Sequence, residues 1–296
     1  MSGTVREESP RARFIRDFAG SRLALAGLGL VVLVAVAAIV GPWIAPQNPY
    51  DLSQLDIMDA RLPPGSVSGA GYTYLLGTDG QGRDMLSGIL YGLRISLVVG
   101  IGSALFAAVL GTSLGLLAAY AGGRTDGAVM RLVDLQLSFP SILVALMILA
   151  VLGRGVGNVV LALVLVEWAY YARVARGAAL AERRREYIEA AEGLALSRTR
   201  IVFRHLLPNC LPPLIVVATT QIARAITLEA TLSFLGIGVP ITEPSLGLLI
   251  ANGYQYVLSG QYWISLYPGL ALLLAILGIN LVGDQVRDVL NPRLQH

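Results

Sequence analysis

Long apolar runs separated by shorter polar stretches set the pattern of this chain. Windows close to the roughly 20 residues that cross a bilayer core occur at Leu23–Ile44, Ile95–Tyr120, Leu135–Leu152, Val156–Ala172, Leu211–Leu235 and Trp263–Val282. Lipid offers backbone N–H and C=O groups no partners, so each window is predicted to be helical. The fold class predicted is an all-α membrane protein with six transmembrane helices. The first run, from about Leu23 to Val40, exceeds the roughly 7–15 apolar residues of a secretory signal. No small-x-small cleavage site leads from it into a soluble domain, so it is predicted to be a retained span.

The chain therefore divides into a tail (1–22), a first transmembrane helix (23–44), a polar loop (45–94), a core membrane domain (95–283) and a second tail (284–296). The 45–94 loop opens with Pro46, Asn48 and Pro49 and holds Pro63-Pro64-Gly65, which predicts extended coil at its start. Within the core domain, 173–209 is the most charged stretch; segments of that length are usually functional or disordered, and this one does not read as disordered. Ala178–Glu192 is rich in strong helix formers, Gly193 can end that helix, Ser197 can cap a second, and Pro208 can close it. Two short helices at the membrane surface are predicted. Ala190 and Ala191 beside Gly193 leave a low-relief patch between charges, suited to close approach by another protein. In the first tail, Phe14, Ile15 and Phe18 share one helical face, which fits a surface-lying amphipathic turn; a disordered tail fits as well.

Composition narrows the function. Charged residues make up 14%, against about 25% in a soluble domain. All 22 basic residues are Arg; with no Lys, a standard phosphate-binding P-loop is excluded. Placing the N-terminus in the cytoplasm puts most Arg on the cytoplasmic side, leaving Arg61, Arg83, Arg94 and Arg154 outside and Arg224 inside the fifth span. Both termini are then cytoplasmic in a multi-pass cell (inner) membrane protein. The single Cys210 allows no disulfide, and His205 and His296 form no metal pair, so no catalytic residue, metal or cofactor is expected in the chain, nor a nucleic acid partner.

Asp134, Glu167, Arg224 and Glu229 lie in or near apolar spans, where a charge costs about 2.5–3.5 kcal/mol or more. They line a translocation path, or they pair with one another or a partner subunit, or snorkel to the interface. Arg224 and Glu229 are too far apart for i,i+4 pairing, which points each to a partner elsewhere. Pro140, Pro212, Pro213 and Pro268 near span ends read as caps or bends.

The stretch from Glu186-Tyr-Ile-Glu-Ala-Ala191 to Ile201-Val-Phe-Arg-His-Leu-Leu-Pro-Asn209 closely resembles the EAA loop of ATP-binding-cassette (ABC) importer permeases. More narrowly, the chain resembles the DppC/OppC-like subunit of the dipeptide/oligopeptide and nickel uptake family. Leu76-Gly-Thr-Asp-Gly-Gln-Gly-Arg-Asp84, Tyr91-Gly-Leu-Arg-Ile-Ser-Leu97, Asp134 with Leu137-Ser-Phe-Pro140, Trp168 with Tyr171-Ala-Arg173, Glu229-Ala-Thr-Leu-Ser-Phe-Leu-Gly236 and Asn291-Pro-Arg293 carry that likeness in order.

The resemblance implies a type I permease bundle whose cytoplasmic loop is a coupling helix seated in a groove of an ATPase. By position Glu189, Ala190, Ala191, Ala195 and Pro208 would form the coupling interface. The implied partners are a homologous B-type permease, two ABC ATPase subunits that hold ATP and magnesium, an extracytoplasmic solute-binding protein, and the bilayer. Asp79, Arg83 and Asp84 would contact the binding protein, or order the loop with Gly77, Gly80 and Gly82. The family usually has Gly where this chain has Ala195, with Gly193 two residues earlier, so a shifted or altered turn is expected. The function implied is half of a path for peptides, with ATP hydrolysis carried by other subunits and not by this chain. A secondary transporter is the alternative, but no clear internal repeat supports it. An intramembrane enzyme would need a membrane-depth His or ligand pairs that are absent from the sequence.

Overall fold

The computed structural model of the chain describes residues 9–49, 51–69 and 71–290. A short helix α1 (Pro10–Ala19) starts on the Ser9 hydroxyl, which accepts from the Ala12 N–H at 3.3 Å. Its Phe14 and Phe18 rings stack at 6.2 Å, as the shared-face spacing predicts. Helix α2 (Arg22–Ile44) follows, capped by Ser21. A folded loop then carries a two-stranded antiparallel hairpin, β1 (Ser66–Val67) and β2 (Thr73–Tyr74). Helix α3 (Met85–Ala121) is capped by Asp84 and leads into α4 (Gly123–Ser138), α5 (Ser141–Leu152) and α6 (Val156–Glu182). After α7 (Glu186–Gly193) comes the long helix α8 (Arg198–Phe234), then α9 (Leu246–Tyr254) and α10 (Trp263–Leu290). Among the described residues, five helices are long and apolar enough to cross a membrane, or six when the α4–α5 pair counts as one span.

Several boundaries differ from the sequence expectation, each for a local reason. The helix that carries the second predicted span begins at Met85, ahead of Ile95, within the stretch expected to be polar loop; the Asp84 carboxylate accepts from the Ser87 N–H at 2.7 Å and fixes the start. The third span is broken: α4 and α5 meet at 95°. Pro140 disfavours helical backbone in the residue before it, and Phe139 is extended at φ −97°, ψ 144°. Helix α6 continues past Ala172 to Glu182, and α10 continues past Val282 to Leu290, so the second tail begins as helix. The Asn291-Pro-Arg293 motif lies outside the described residues. Helix α9, apolar behind the Ser245 cap, is far shorter than a span and so leaves no span-length run in the sequence.

The predicted helix over Ala178–Glu192 divides. Arg185 is extended at φ −85°, ψ 141°, and separates α6 from α7. The Arg183 guanidinium turns back to donate to the carbonyls of Ala119 (2.7 Å) and Tyr120 (3.3 Å), where α3 ends without its own N–H partners. Pro208 does not end a helix either. Ile201–Leu206 widens into a π-helical turn, with the Leu207 N–H reaching the Val202 carbonyl, and α8 runs on through Pro208, Pro212 and Pro213. A widened turn relieves the clash between a proline ring and the preceding carbonyls. The Asn209 side chain donates to the His205 carbonyl at 2.7 Å, and Ile201, Leu206, Cys210 and Leu214 are buried, which holds this irregular stretch in place.

Small residues let the central helices approach closely. A Cβ at Gly111 would collide with the Trp168 carbonyl, and one at Gly115 would lie 2.8 Å from the Ala175 Cβ, so α3 and α6 meet nearly backbone to backbone. Around that seam one apolar cluster joins Ala107 and Leu116 of α3, Tyr171 and Ala175 of α6, Ile188 and Ala191 of α7, and Leu206 and Leu214 of α8. A second joins Val99, Leu149, Leu163, Val166 and Leu232.

Candidate functional site

At the end of the bundle where α3 stops, α7 lies between two spans and is held by one face. Ile188 and Ala191 are buried against the membrane helices. Glu189, Ala190 and Gly193 are exposed. The Tyr187 hydroxyl donates to Glu182 Oε2 at 2.6 Å and accepts from Asn209 at 3.1 Å, tying α7 to both flanking helices. Partial burial and the neighbouring Glu182 carboxylate push the Tyr187 phenol up to about 12. Below an unfolded pKa near 10 this contact contributes fully, and it is lost as pH rises towards 12.

The turn after α7 resolves the question raised by Ala195. The Ala195 N–H donates to the Glu192 carbonyl at 2.9 Å, and the Leu196 N–H to the Ala191 carbonyl at 3.2 Å. Those two bonds form a Schellman turn, whose left-handed position is Ala195, at φ 53°. Gly193 is an ordinary helical residue. The turn has therefore not shifted to Gly193: Ala occupies the position where Gly fits best. Leu196 packs against the cluster that holds Ala191, the contact such turns usually make.

The five residues assigned to this interface thus separate. Glu189 and Ala190 face outward, Ala191 inward, Ala195 shapes the turn, and Pro208 lies within α8. Sequence reasoning missed two exposed apolar residues on this end. Leu194 is 75% exposed and Phe203, on the π-helical turn, is 67% exposed. An apolar residue inside so charged a segment was the available signal. Beside α7, a cavity of about 410 Å³ is lined by Tyr120, Arg183, Glu192, Leu196 and Arg198.

At the opposite end, Asp79, Arg83 and Asp84 are all buried. Arg83 Nε donates to Asp79 Oδ2 at 2.8 Å, and the other Asp79 oxygen accepts from the N–H groups of Gln81 and Arg83. Asp84 caps α3, and its own N–H donates to Gln47 Oε1 at 2.7 Å. These bonds run within the chain and fit the second of the two readings, that the three residues order the loop, together with Gly77 and Gly82 at φ 79° and 76°. The Trp263 indole donates to the Thr78 carbonyl at 3.1 Å and fastens the loop to α10. Exposed apolar groups on this loop are Ile57, Met58, Val67 and Leu75.

The four charges expected in the spans also part company. Asp134 pairs with Arg173 on an exposed surface, and neighbouring Asp126 pairs with Arg176 at 2.5 and 2.6 Å; together they clamp α4 to α6. Glu229 is fully buried, accepting from Ser96 of α3 at 2.9 Å and from Ser233 at 2.8 Å. Glu167 is fully buried with neither carboxylate oxygen hydrogen-bonded, near Arg224 but not bonded to it. Arg224 is only partly buried; it donates to Ser141 Oγ at 2.6 Å and lies over the Tyr170 ring at 4.5 Å. Arg224 and Glu229 do not pair, as their spacing predicts. Among the described residues, no group of His, Cys, Asp and Glu is placed to hold a metal.

Comparison with known proteins adds five findings. Residues 111–296 match the family model described as "Binding-protein-dependent transport system inner membrane component", and residues 9–64 match "N-terminal TM domain of oligopeptide transport permease C". The di/tripeptide transport system permease protein DppC of Pseudomonas aeruginosa (strain UCBPP-PA14) is 39% identical over 97% of this chain and 94% of its own. The dipeptide transport system permease protein DppC of Escherichia coli (strain K12) is 40% identical over 97% of this chain and 94% of its own. Among solved structures, the MetNI methionine ABC transporter matches with a TM-score of 0.57 and 24% identity, covering 69% of this chain and 97% of the matched chain, a likeness of fold.

Proposed function

The chain belongs to the family of binding-protein-dependent transport system inner membrane components, and on that premise we propose that it forms half of a translocation path for peptides, driven through α7 by a separate ATPase. A multi-pass ABC importer permease works with an ATPase, a binding protein and a membrane. The finer assembly is our reading: one homologous permease, two ATPase subunits holding ATP and magnesium, and an extracytoplasmic binding protein, with both termini of this chain in the cytoplasm. Peptides are chosen as solute because the relatives above are named for dipeptides and tripeptides.

One observation carries the coupling role. Helix α7 is seated on the bundle by Ile188 and Ala191 while Glu189, Ala190 and Leu194 turn away from it. Leu194, 75% exposed, and Phe203, 67% exposed, are apolar side chains that this charged end leaves free for contact. Because the seat shares one apolar cluster with α3, α6 and α8, a push on α7 reaches the spans directly. ATP-driven closure shifts the membrane states only if the docked ATPase binds them with different free energy. At the other end, the exposed Ile57 and Met58 take over the binding-protein role from the buried Asp79, Arg83 and Asp84.

The test is Leu194→Arg in the assembled importer. The permease should remain folded in the membrane, while ATPase co-purification and peptide uptake fall together. Ala191→Arg should instead unseat α7 and lower the yield of folded permease. A Leu194→Arg variant with undiminished uptake and ATPase association would sink the coupling assignment.

A further inference from the structure

Arg224 stands in the apolar stretch of α8 with donor capacity that the chain leaves unused. A guanidinium carries five N–H donors, and its hydrogen-bond partner among the described residues is the Ser141 hydroxyl. Its guanidinium carbon lies over the Tyr170 ring at 4.5 Å, a cation–π contact that limits where the group can go. Glu167 lies nearby but is fully buried, closed to any solute, and makes no hydrogen bond to Arg224.

The surroundings of Arg224 on α8 are polar as well. Thr220, Arg224, Thr227 and Thr231 follow at intervals of four, three and four, so they share one helix face. Thr220 and Thr227 are exposed and Thr231 is partly exposed. Each hydroxyl donates back into the helix: Thr220 to the Val217 carbonyl at 2.8 Å, Thr227 to Ala223 at 2.9 Å, Thr231 to Thr227 at 2.8 Å. The proton of each is thereby committed, and the oxygen keeps lone pairs that accept from a visitor. A face with one cation and a ladder of acceptors is costly against lipid and fits a water-filled path.

We propose that this face of α8 is a peptide subsite within that path, where Arg224 takes a carboxylate of the solute and Thr227 and Thr231 accept from its N–H groups. The proposal rests on the path reading above. A guanidinium suits a planar carboxylate, which it can meet with two parallel bonds. The threonine oxygens, a helical turn away, match the donors that a peptide backbone carries beside its carboxylate. In this subsite Arg224 touches the solute, while Ser141 and Tyr170 position it.

The test uses the complete importer with Cys210→Ser and Thr227→Cys, treated with membrane-impermeant thiosulfonates of equal size and opposite charge. With Arg224 present, the anionic reagent should react roughly fivefold faster relative to the cationic one, as one nearby unit charge predicts. Arg224→Gln should bring the ratio near that of a free thiol, and Arg224→Lys should keep it. A peptide with a free C-terminal carboxylate should protect Thr227→Cys better than its amide. If Thr227→Cys reacts with neither reagent in any nucleotide state, the path reading itself fails. If it reacts, but with a charge ratio indifferent to Arg224 and equal protection by acid and amide, the path stands and the carboxylate subsite is wrong.

Discussion

The left-handed residue after α7 allows a sharp test of the turn. Ala195 sits at φ 53°, where its Cβ crowds the following carbonyl at a cost of about 1–2 kcal/mol. Ala195→Gly removes that cost but gives the unfolded chain more freedom, worth about 0.5–1 kcal/mol against folding. The net expected gain is about 0.5–1 kcal/mol, confined to the turn. Gly193 predicts the companion result. It is helical, and a Cβ there would meet nothing within 4 Å, so Gly193→Ala should also stabilise, by about 0.5–1 kcal/mol. Hydrogen exchange on the purified complex reads both, because local opening governs exchange at single amides. The Ala195 and Leu196 amides, bonded to Glu192 and Ala191, should exchange roughly two- to fivefold more slowly in either variant. Faster exchange in Gly193→Ala, with no change in Ala195→Gly, would mean the turn pivots on Gly193, and the register described here would be refuted.

Two further outcomes follow from buried contacts at other sites. Arg83→Ala should strand the Asp79 carboxylate inside the loop and cost about 3–5 kcal/mol, seen as rapid proteolysis between Ile57 and Asp84 while the membrane helices stay protected. Gly111→Ala should force α3 away from the Trp168 carbonyl and lower the yield of folded protein sharply; a variant with normal yield and melting would refute the backbone-to-backbone seam.

Apolar run length made most of the spans legible. It located α2, α3, α6, α8 and α10, because the bilayer rewards any run long enough. It gave the ends poorly, since helices continue past the membrane wherever capping and packing hold them, as Asp84 does for α3 and the buried Ile201 and Leu206 do for α8. Proline was legible at Pro140, read as a cap or bend, and misleading at Pro208, read as a stop. Pro140 breaks its span through the residue before it, while Pro208 is absorbed by a π-helical turn and an Asn side chain. The charged residues were legible as unusual but not in their roles. Nothing in the spacing of Asp79 and Arg83 says that they close on each other instead of facing water. Nothing in the sequence alone separates Glu229, satisfied by serines from α3 and α8, from Glu167, satisfied by none.

Helix α3 is gripped at both ends. The folded loop holds its start through Asp84 and Gln47, and Arg183 holds its finish beside α7. Its 37 residues make a rod about 55 Å long, longer than the hydrocarbon layer is thick. A rigid rod of that length converts angle into distance: a tilt of about 5° about one end carries the other through about 5 Å. Both gripping points would then register one motion at once, so what happens at α7 is felt at the outer loop with no chain of intermediate contacts to relay it.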